Sequence, residues 1–297
     1  MRYKLGVPGR VLHALAPLPM LGVDPIAHAP THRAAMTVDA WSPAEIAQRI
    51  ESLGVKKARA DALSVLTLAV LAGAFISLGA LFFTVVVTDS TLGFGATRML
   101  GGLAFSLGLI LVVIAGAELF TGNNLVAMAW ASRLITGREL LRNWLLVYVG
   151  NVLGSLGTVA LVVAAGTDEM GGGAVGRTAL AIGQAKANLD PVAALALGIG
   201  CNALVCLAVW LAFGGRSVTD KVLAIVFPIT AFVAVGFEHC IANWFFLPWA
   251  IALGGEDLAA GAVRNLALVT IGNVIGGTLL VAGVYWLAYL RPGRRAA

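Results

Sequence analysis

Long hydrophobic runs, separated by short charged segments, dominate the chain. Four of these runs contain no charged residue, and they cover residues 62–88, 143–167, 191–215 and 265–290. About 20 apolar residues are needed to cross the roughly 30 Å hydrocarbon core of a bilayer. Each of the four runs therefore predicts one membrane-spanning helix.

Two further runs, 98–133 and 221–256, each enclose 34 residues that are interrupted by one charge, Glu118 or Glu238. A continuous helix of that length would extend about 50 Å, which is too long for one crossing. It would also be too short for two complete crossings with a turn between them. Each run thus predicts a helix that is broken near its glutamate. The predicted fold class is an all-α integral membrane protein with six transmembrane helices, of which helices 2 and 5 are broken.

The two halves of the chain share sequence patterns. The pattern G-x-E-x-x-x-x-N occurs at Gly116–Asn123 and again at Gly236–Asn243, and residues 143–154 match 265–276 at seven of twelve positions. Because the repeated unit has three spans, an odd number, the second copy must be inserted upside down. Two inverted three-helix repeats with paired broken helices indicate a transport site near the bilayer midplane.

Composition and charge support this class. The 297 residues are 59% hydrophobic and only 12% charged, about half the charged fraction of soluble domains. With the N-terminus in the cytoplasm, 16 of the 20 Lys and Arg residues fall in predicted cytoplasmic segments, as the positive-inside rule requires. The net charge of +5 is dispersed among the loops and does not indicate nucleic-acid binding. The three cysteines all lie in apolar runs without metal-ligand spacing, so no metal and no cofactor is predicted.

The two intramembrane glutamates need a role, because a charge at the bilayer centre costs several kcal/mol. Glu118 and Glu238 are predicted to be structural loop carboxylates that accept backbone N–H groups freed by the helix breaks. Proton relay or cation binding is the alternative role for both.

His239 is the only histidine in the hydrophobic runs, and it lies at the second predicted break. An imidazole at this position could exchange protons near neutral pH, although a satisfied core histidine is the alternative. Thr121 and Asn202 are neutral hydrogen-bonding groups that could serve such a histidine or only bridge helices. Lys186, taken alone, is interpreted as an ordinary interfacial lysine in an outer loop.

Several motifs resemble the formate/nitrite transporter family over residues 43–290. They are AGAELFTGNN at 115–124, CNALVCLAVW at 201–210, GGRS at 214–217, VGFEHCIAN at 235–243 and IGNVIGG at 271–277. The resemblance implies an aquaporin-like fold, a homopentamer with one pore per subunit, and a small monovalent weak-acid anion as the cargo. Formate is the favoured cargo because Phe237 precedes Glu238, and nitrite or hydrosulfide is the alternative.

The resemblance also implies residue roles. Thr121 and His239 would face each other between two apolar constrictions, Asn202 would hydrogen-bond near His239, and Lys186 would attract the anion in the periplasmic vestibule. The constriction residues that it implies are Phe105, Leu109, Leu119, Phe120 and Phe232. His239 would protonate the anion, directly or through water and Thr121, so that the neutral acid passes. Protons and the bilayer are then the further partners.

The predicted domain order completes this picture. It consists of an N-terminal extension at 1–42, expected to be disordered, an amphipathic cytoplasmic helix at 43–60 implied by the resemblance, a first repeat at 62–167, a periplasmic connection at 168–190, a second repeat at 191–290 and a cytoplasmic tail at 291–297. The extension lacks the apolar core of a signal peptide, and Met36 is an alternative start. The expected location is a bacterial-type inner membrane with both termini in the cytoplasm.

Three other classes of protein fit the sequence less well. An aquaporin or glycerol channel would carry two Asn-Pro-Ala motifs, and the chain has none. An intramembrane enzyme would need a nucleophile–base pair or a metal cluster, and neither H-E-x-x-H nor a G-x-S-x-G at a break occurs. A purely structural scaffold would not need symmetric broken helices. The chain is therefore predicted not to be an enzyme.

Overall fold

The computed structural model describes residues 40–291, and this part of the chain is built from helices without any strand. In chain order the helices are α1 (Pro43–Arg59), α2 (Ala62–Val87), α3 (Phe94–Ala115), α4 (Ala127–Ala131), α5 (Gly137–Ala164), α6 (Met170–Ala187), α7 (Pro191–Gly214), α8 (Val218–Ala234), α9 (Cys240–Ala252) and α10 (Ala259–Ile275). A 3₁₀ turn over Gly122–Val126 precedes α4, and π-type turns over Gly276–Gly283 and Trp286–Leu290 extend α10. Most of the predicted N-terminal extension and of the tail lies outside the described residues.

Within residues 40–291, five helical segments are long and apolar enough to cross a membrane. They are Ala62–Val87, Phe94–Ala115, Gly137–Ala164, Pro191–Gly214 and Glu256–Leu290. The remaining predicted run, 221–256, consists of two shorter helices, α8 and α9. The all-α membrane class predicted from the sequence is therefore confirmed.

Both long runs are interrupted at a glycine in the left-handed conformation. Gly116 follows α3 with φ of 84°, and Gly236 follows α8 with φ of 83°. Glycine adopts this conformation without the steric penalty of a β-carbon, and it commonly ends helices. The next amide closes the turn in the same way at both places, from Ala117 to the Val112 carbonyl and from Phe237 to the Phe232 carbonyl, each at 2.9 Å. The sequence pattern thus has a local physical cause.

Each break is flanked by an additional helix outside the long runs. A capping box between Ser42 and Glu45 starts α1, which buries Ile46, Ile50 and neighbouring small residues against the 3₁₀ turn and α4. Helix α6 packs against α9. Lys186 lies in the last turn of α6, so its predicted position in a loop is wrong. The buried positions of α6 are small and recur at helical spacing, which is why this short helix escapes a search for long apolar runs.

Close helix contacts hold the breaks in place and recur in both halves. A β-carbon on Gly154 of α5 would overlap the Val70 carbonyl of α2, and one on Gly276 would overlap the Ile199 carbonyl of α7. Only glycine permits backbones to approach this closely, and such small-residue contacts are typical of membrane helices. The contacts bring α5 beside the first break and the end of α10 beside the second.

Candidate functional site

A hydrogen bond joins the two breaks. Thr121 Oγ1 and His239 Nε2 are 3.0 Å apart, although the two residues are separated by 118 positions in the chain. Both are buried, with exposed fractions of 0% and 3%. The structure therefore brings together the two residues that the sequence singled out in the broken helices.

The second ring nitrogen of His239 defines how this bond is made. His239 is the N-cap of α9, and its Nδ1 accepts the Ala242 backbone N–H at 3.1 Å. A nitrogen that accepts a hydrogen bond carries no proton, so the proton of a neutral imidazole lies on Nε2. Nε2 then donates to Thr121 Oγ1, which leaves the Thr121 hydroxyl proton available to another acceptor.

Two cavities approach this hydrogen bond. We name them the α1-side cavity, of about 330 Å³, and the α6-side cavity, of about 220 Å³. The lining of the α1-side cavity includes Lys57, Leu109, Glu118, Leu119 and Lys221. The lining of the α6-side cavity includes Arg98, Phe105, Lys186, Phe232, Glu238 and His239. Each cavity therefore combines apolar side chains with a few charged ones.

The Thr121–His239 bond lies between the cavities. His239 itself lines the α6-side cavity. Thr121 lines neither cavity, but its neighbours Leu119 and Gly122 line the α1-side cavity. A solute that passed from one cavity to the other would have to pass these two polar side chains.

Four of the five predicted constriction residues line a cavity. Phe105 and Phe232 meet edge to face in the α6-side cavity, with ring centroids 5.5 Å apart, and the Phe232 ring lies 6.1 Å from that of His239. Leu109 and Leu119 line the α1-side cavity. The structure places Phe120 elsewhere, against Tyr148 and Trp144, and Phe120 lines neither cavity.

Each glutamate binds a lysine and an asparagine. Lys57 Nζ lies 3.0 Å from Glu118, and Asn123 Nδ2 donates to the same carboxylate at 2.7 Å. Lys186 Nζ lies 2.8 Å from Glu238, and the Asn243 Nδ2 atom donates to Glu238 at 2.7 Å.

The hydrogen bonds found for these carboxylates in residues 40–291 therefore come from side chains. The prediction that Glu118 and Glu238 accept backbone N–H groups is wrong. The reason is that two other side chains already pair the freed backbone groups.

Those two side chains are Asn151 and Asn273. The Asn151 amide oxygen accepts the Phe120 N–H at 2.8 Å, and its Nδ2 donates to the carbonyls of Ala69 and Glu118. The Asn273 amide oxygen accepts the Cys240 N–H at 2.9 Å, and its Nδ2 donates to two carbonyls in the same arrangement. The sequence alone does not indicate this role, although both residues belong to the matched segments 143–154 and 265–276.

The two lysine sites differ in one respect. Lys57 also donates to the Asn123 amide oxygen at 2.8 Å. The equivalent oxygen, Asn243 Oδ1, is buried and has no hydrogen-bond partner in the described structure. Lys186 instead lies over the Phe246 ring, 5.2 Å from its centroid, in the α6-side cavity. Lys186 thus keeps more of its hydrogen-bonding capacity directed to the cavity than Lys57 does.

No hydrogen bond joins Asn202 to the His239 ring. Asn202 donates to Asn124 Oδ1 at 2.7 Å and to the Asn273 carbonyl at 2.6 Å. Cys206 links Asn202 to the first break. The Cys206 Sγ atom lies 3.7 Å from the Asn202 amide oxygen and 3.3 Å from the Thr121 carbonyl oxygen. Asn202 therefore ties the two breaks together rather than extending the Thr121–His239 pair. No group of three His, Cys, Asp or Glu residues within 40–291 could hold a metal ion.

Comparison with known proteins identifies the family. Residues 44–287 match the Formate/nitrite transporter family. The chain belongs to this family. The formate channel FocA of Escherichia coli K12 is 41% identical over 273 residues, which cover 85% of this chain and 96% of that protein. The formate channel BtFdhC of Bacillus thuringiensis is 38% identical over 252 residues, which cover 83% and 95%.

Solved structures of related proteins have the same fold. A pentameric formate channel with formate bound is 42% identical and superimposes with a TM-score of 0.70, covering 77% of this chain and 98% of that one. A second structure, described as an FNT family ion channel, is 28% identical with a TM-score of 0.75, covering 82% and 98%. The family resemblance seen in the sequence is thus confirmed. The chain is a multi-pass membrane protein of a transporter family and not an enzyme.

Proposed function

We propose that the protein conducts formate across the inner membrane as a homopentamer with one pore in each subunit. Relatives named as formate channels and a related pentameric structure with formate bound support this cargo and this assembly. Phe237 lines the α6-side cavity beside Glu238, where the family resemblance favours formate over nitrite. Both termini lie in the cytoplasm, so that the α1-side cavity opens to the cytoplasm and the α6-side cavity to the periplasm.

The single observation that carries the mechanism is the buried Thr121–His239 bond between two cavities. An anion cannot pass the apolar rings of Phe105 and Phe232 unpaired, because an uncompensated buried charge costs several kcal/mol or more. A neutral acid avoids this cost. Proton transfer to formate at His239 would therefore lower the barrier at these two rings.

The hydrogen bonds of His239 dictate how a proton could move. A neutral ring with its proton on Nε2 cannot give that proton away without becoming an anion. The ring must first take up a proton at Nδ1, which breaks the bond with the Ala242 N–H. The resulting imidazolium transfers its Nε2 proton to formate, directly or through water and Thr121, and a neutral ring and formic acid result. Lys186 would help to hold the anion in the α6-side cavity before this step.

Flux measurements in proteoliposomes test the proposal. The protein is reconstituted, and uptake of formate, nitrite and hydrosulfide is followed at equal pH and across an imposed pH step. We expect the fastest flux for formate and acceleration when the destination is more alkaline. His239→Asn keeps an oxygen that can cap α9 but has no group that can carry the proton, so it should fold and lose the response to the pH step.

Two results would contradict this proposal. Faster flux of nitrite or hydrosulfide than of formate would reassign the cargo within the family. A folded His239→Asn protein with the wild-type response to the pH step would remove His239 from proton transfer.

A further inference from the structure

Two cations that the proposed mechanism does not use line the two cavities. Arg98 lines the α6-side cavity, and Lys221 lines the α1-side cavity. Arg98 lies near the start of α3, and Lys221 lies near the start of α8. These are the helices that lead into the first and the second break, so the two cations have equivalent places in the repeated pattern, one for each cavity.

Neither cation is neutralised by a carboxylate in the described residues. The salt bridges found there are Lys57–Glu118, Arg59–Glu139 and Lys186–Glu238. The positive charges of Lys57 and Lys186 are therefore offset by glutamates in their own cavities. Arg98 and Lys221 take part in no ion pair of residues 40–291, although the Glu238 carboxylate attracts Arg98 at longer range.

The charges that line each cavity sum to one positive charge when His239 is neutral. In the α1-side cavity, Lys57 and Glu118 cancel, and Lys221 remains. In the α6-side cavity, Lys186 and Glu238 cancel, and Arg98 remains. A net charge in a cleft with apolar walls concentrates ions of the opposite sign. Arg98 and Lys221 thus supply the field that an approaching anion meets.

Both side chains also have free hydrogen-bond donors. Arg98 Nε donates to the Ala234 carbonyl at 3.0 Å, and one terminal nitrogen donates to the Val233 carbonyl. These bonds fix the guanidinium at the end of α8 and use two of its five N–H groups. The backbone N–H of Lys221 donates to the Ser217 carbonyl at 3.3 Å. Its side chain makes no hydrogen bond to the described residues, so its three ammonium N–H groups are available to a ligand.

We propose that Arg98 and Lys221 are the anion-binding residues of the two cavities, and that they set how strongly a small monovalent anion is held before it reaches Thr121 and His239. This inference rests on the proposed function, because it assumes that such an anion is the cargo. It assigns different tasks to the four cations. Lys57 and Lys186 chiefly compensate the buried glutamates, and Lys186 in addition helps to hold the anion close to His239, whereas Arg98 and Lys221 bind the cargo first.

One-sided uptake kinetics test this assignment. Proteoliposomes of the full chain are sorted by orientation, and the half-saturating concentration is measured from each face. The anion used is whichever of formate, nitrite and hydrosulfide the wild type conducts. Loss of one unit charge about 4 Å from an anion in water-like surroundings weakens binding about fivefold. We therefore expect Lys221→Gln to raise the half-saturating concentration about fivefold from the α1 side and to leave the α6 side within twofold.

Arg98→Gln should have the opposite sidedness, and the charge-conserving variants Lys221→Arg and Arg98→Lys should stay close to wild type. Added inert salt should weaken uptake by the wild type more than uptake by the glutamine variants, because it screens the charge. Lys221→Gln removes no hydrogen bond within the described residues, so this variant decides the test even if Arg98→Gln fails to assemble.

Each outcome bears on a definite claim. Conduction by the wild type with unchanged half-saturation in Lys221→Gln would overturn the anion-binding assignment and leave the proposed function intact. Failure of the wild type to conduct any of the three anions would overturn both. Weakened uptake from both faces in Lys221→Gln would also contradict the assignment, since it would indicate a general structural effect.

Discussion

Substitution of Asn273 by alanine is expected to destabilise the protein more than the same substitution at an exposed asparagine. The side chain of Asn273 is buried and pairs three backbone groups at the second break: the Cys240 N–H at 2.9 Å, the Gly198 carbonyl at 2.7 Å and the Glu238 carbonyl at 2.9 Å. Alanine would remove all three hydrogen bonds, and the Cys240 N–H and the Glu238 carbonyl at the break would lose the partner that Asn273 provides.

The magnitude can be bounded from those three bonds. Hydrogen bonds between membrane helices contribute about 0.6 kcal/mol each on average, which gives a lower bound of about 2 kcal/mol. An unsatisfied buried polar group costs about 1–3 kcal/mol. If two of the three backbone groups remain unsatisfied at about 3 kcal/mol each, the upper value is about 6 kcal/mol. Asn273→Asp should be no better, because it keeps the acceptor for Cys240 but turns an oxygen toward two carbonyls.

Reversible unfolding in mixed micelles, followed by circular dichroism, measures this difference. Asn188→Ala is the matched control, because Asn188 is exposed and makes one local bond to the Gln184 carbonyl. We expect the control to change the free energy of unfolding by less than about 0.5 kcal/mol. Equal stability of Asn273→Ala and Asn188→Ala would refute the view that asparagine side chains hold the breaks.

Two further predictions concern the flanking helix and the helix contacts. Hydrogen bonds from Ser42, first from its side chain and then from its backbone, hold the pKa of Glu45 below its ordinary value. The stabilisation of the first turn of α1 is therefore present above about pH 4.3 and is lost as pH falls through the lowered pKa. Hydrogen exchange of the amides in that turn should show this pH dependence, and Glu45→Gln should abolish the pH dependence. Gly154→Ala should destabilise the protein by about 1–3 kcal/mol, because its β-carbon would overlap the Val70 carbonyl. Gly157→Ala, which meets no atom within 4 Å, is the control, and an equal loss of stability in both variants would contradict the close α2–α5 contact.

The broken helices could be predicted from the sequence because their cause is local. A run too long for one crossing and a glycine two residues before a glutamate already indicate a break, and Gly116 and Gly236 adopt the left-handed conformation that this requires. The pairing of Thr121 with His239 could only be suggested, since 118 residues separate them and their approach depends on how the helices pack.

The lysine partners of the glutamates could not be predicted from the repeat. Glu118 and Glu238 are 120 residues apart, whereas Lys57 and Lys186 are 129 residues apart, because α2, α3 and the loop between them are together longer than α7, α8 and their loop. An alignment at a constant offset therefore does not match the two lysines. The position of Phe120 could not be predicted for a related reason: of the neighbours of Thr121, Leu119 and Gly122 line the α1-side cavity and Phe120 does not, and the sequence does not indicate which of them face a cavity.

The two ring nitrogens of His239 make hydrogen bonds with different functions. One holds the first turn of α9, and the other meets Thr121. A proton that binds to Nδ1 must break the hydrogen bond with the Ala242 N–H before Nε2 can donate its own proton. Proton transfer and backbone order at the centre of this protein are consequently coupled: protonation of Nδ1 removes one hydrogen bond from the first turn of α9, and the bond from the Cys240 N–H to Asn273 is left to hold that turn.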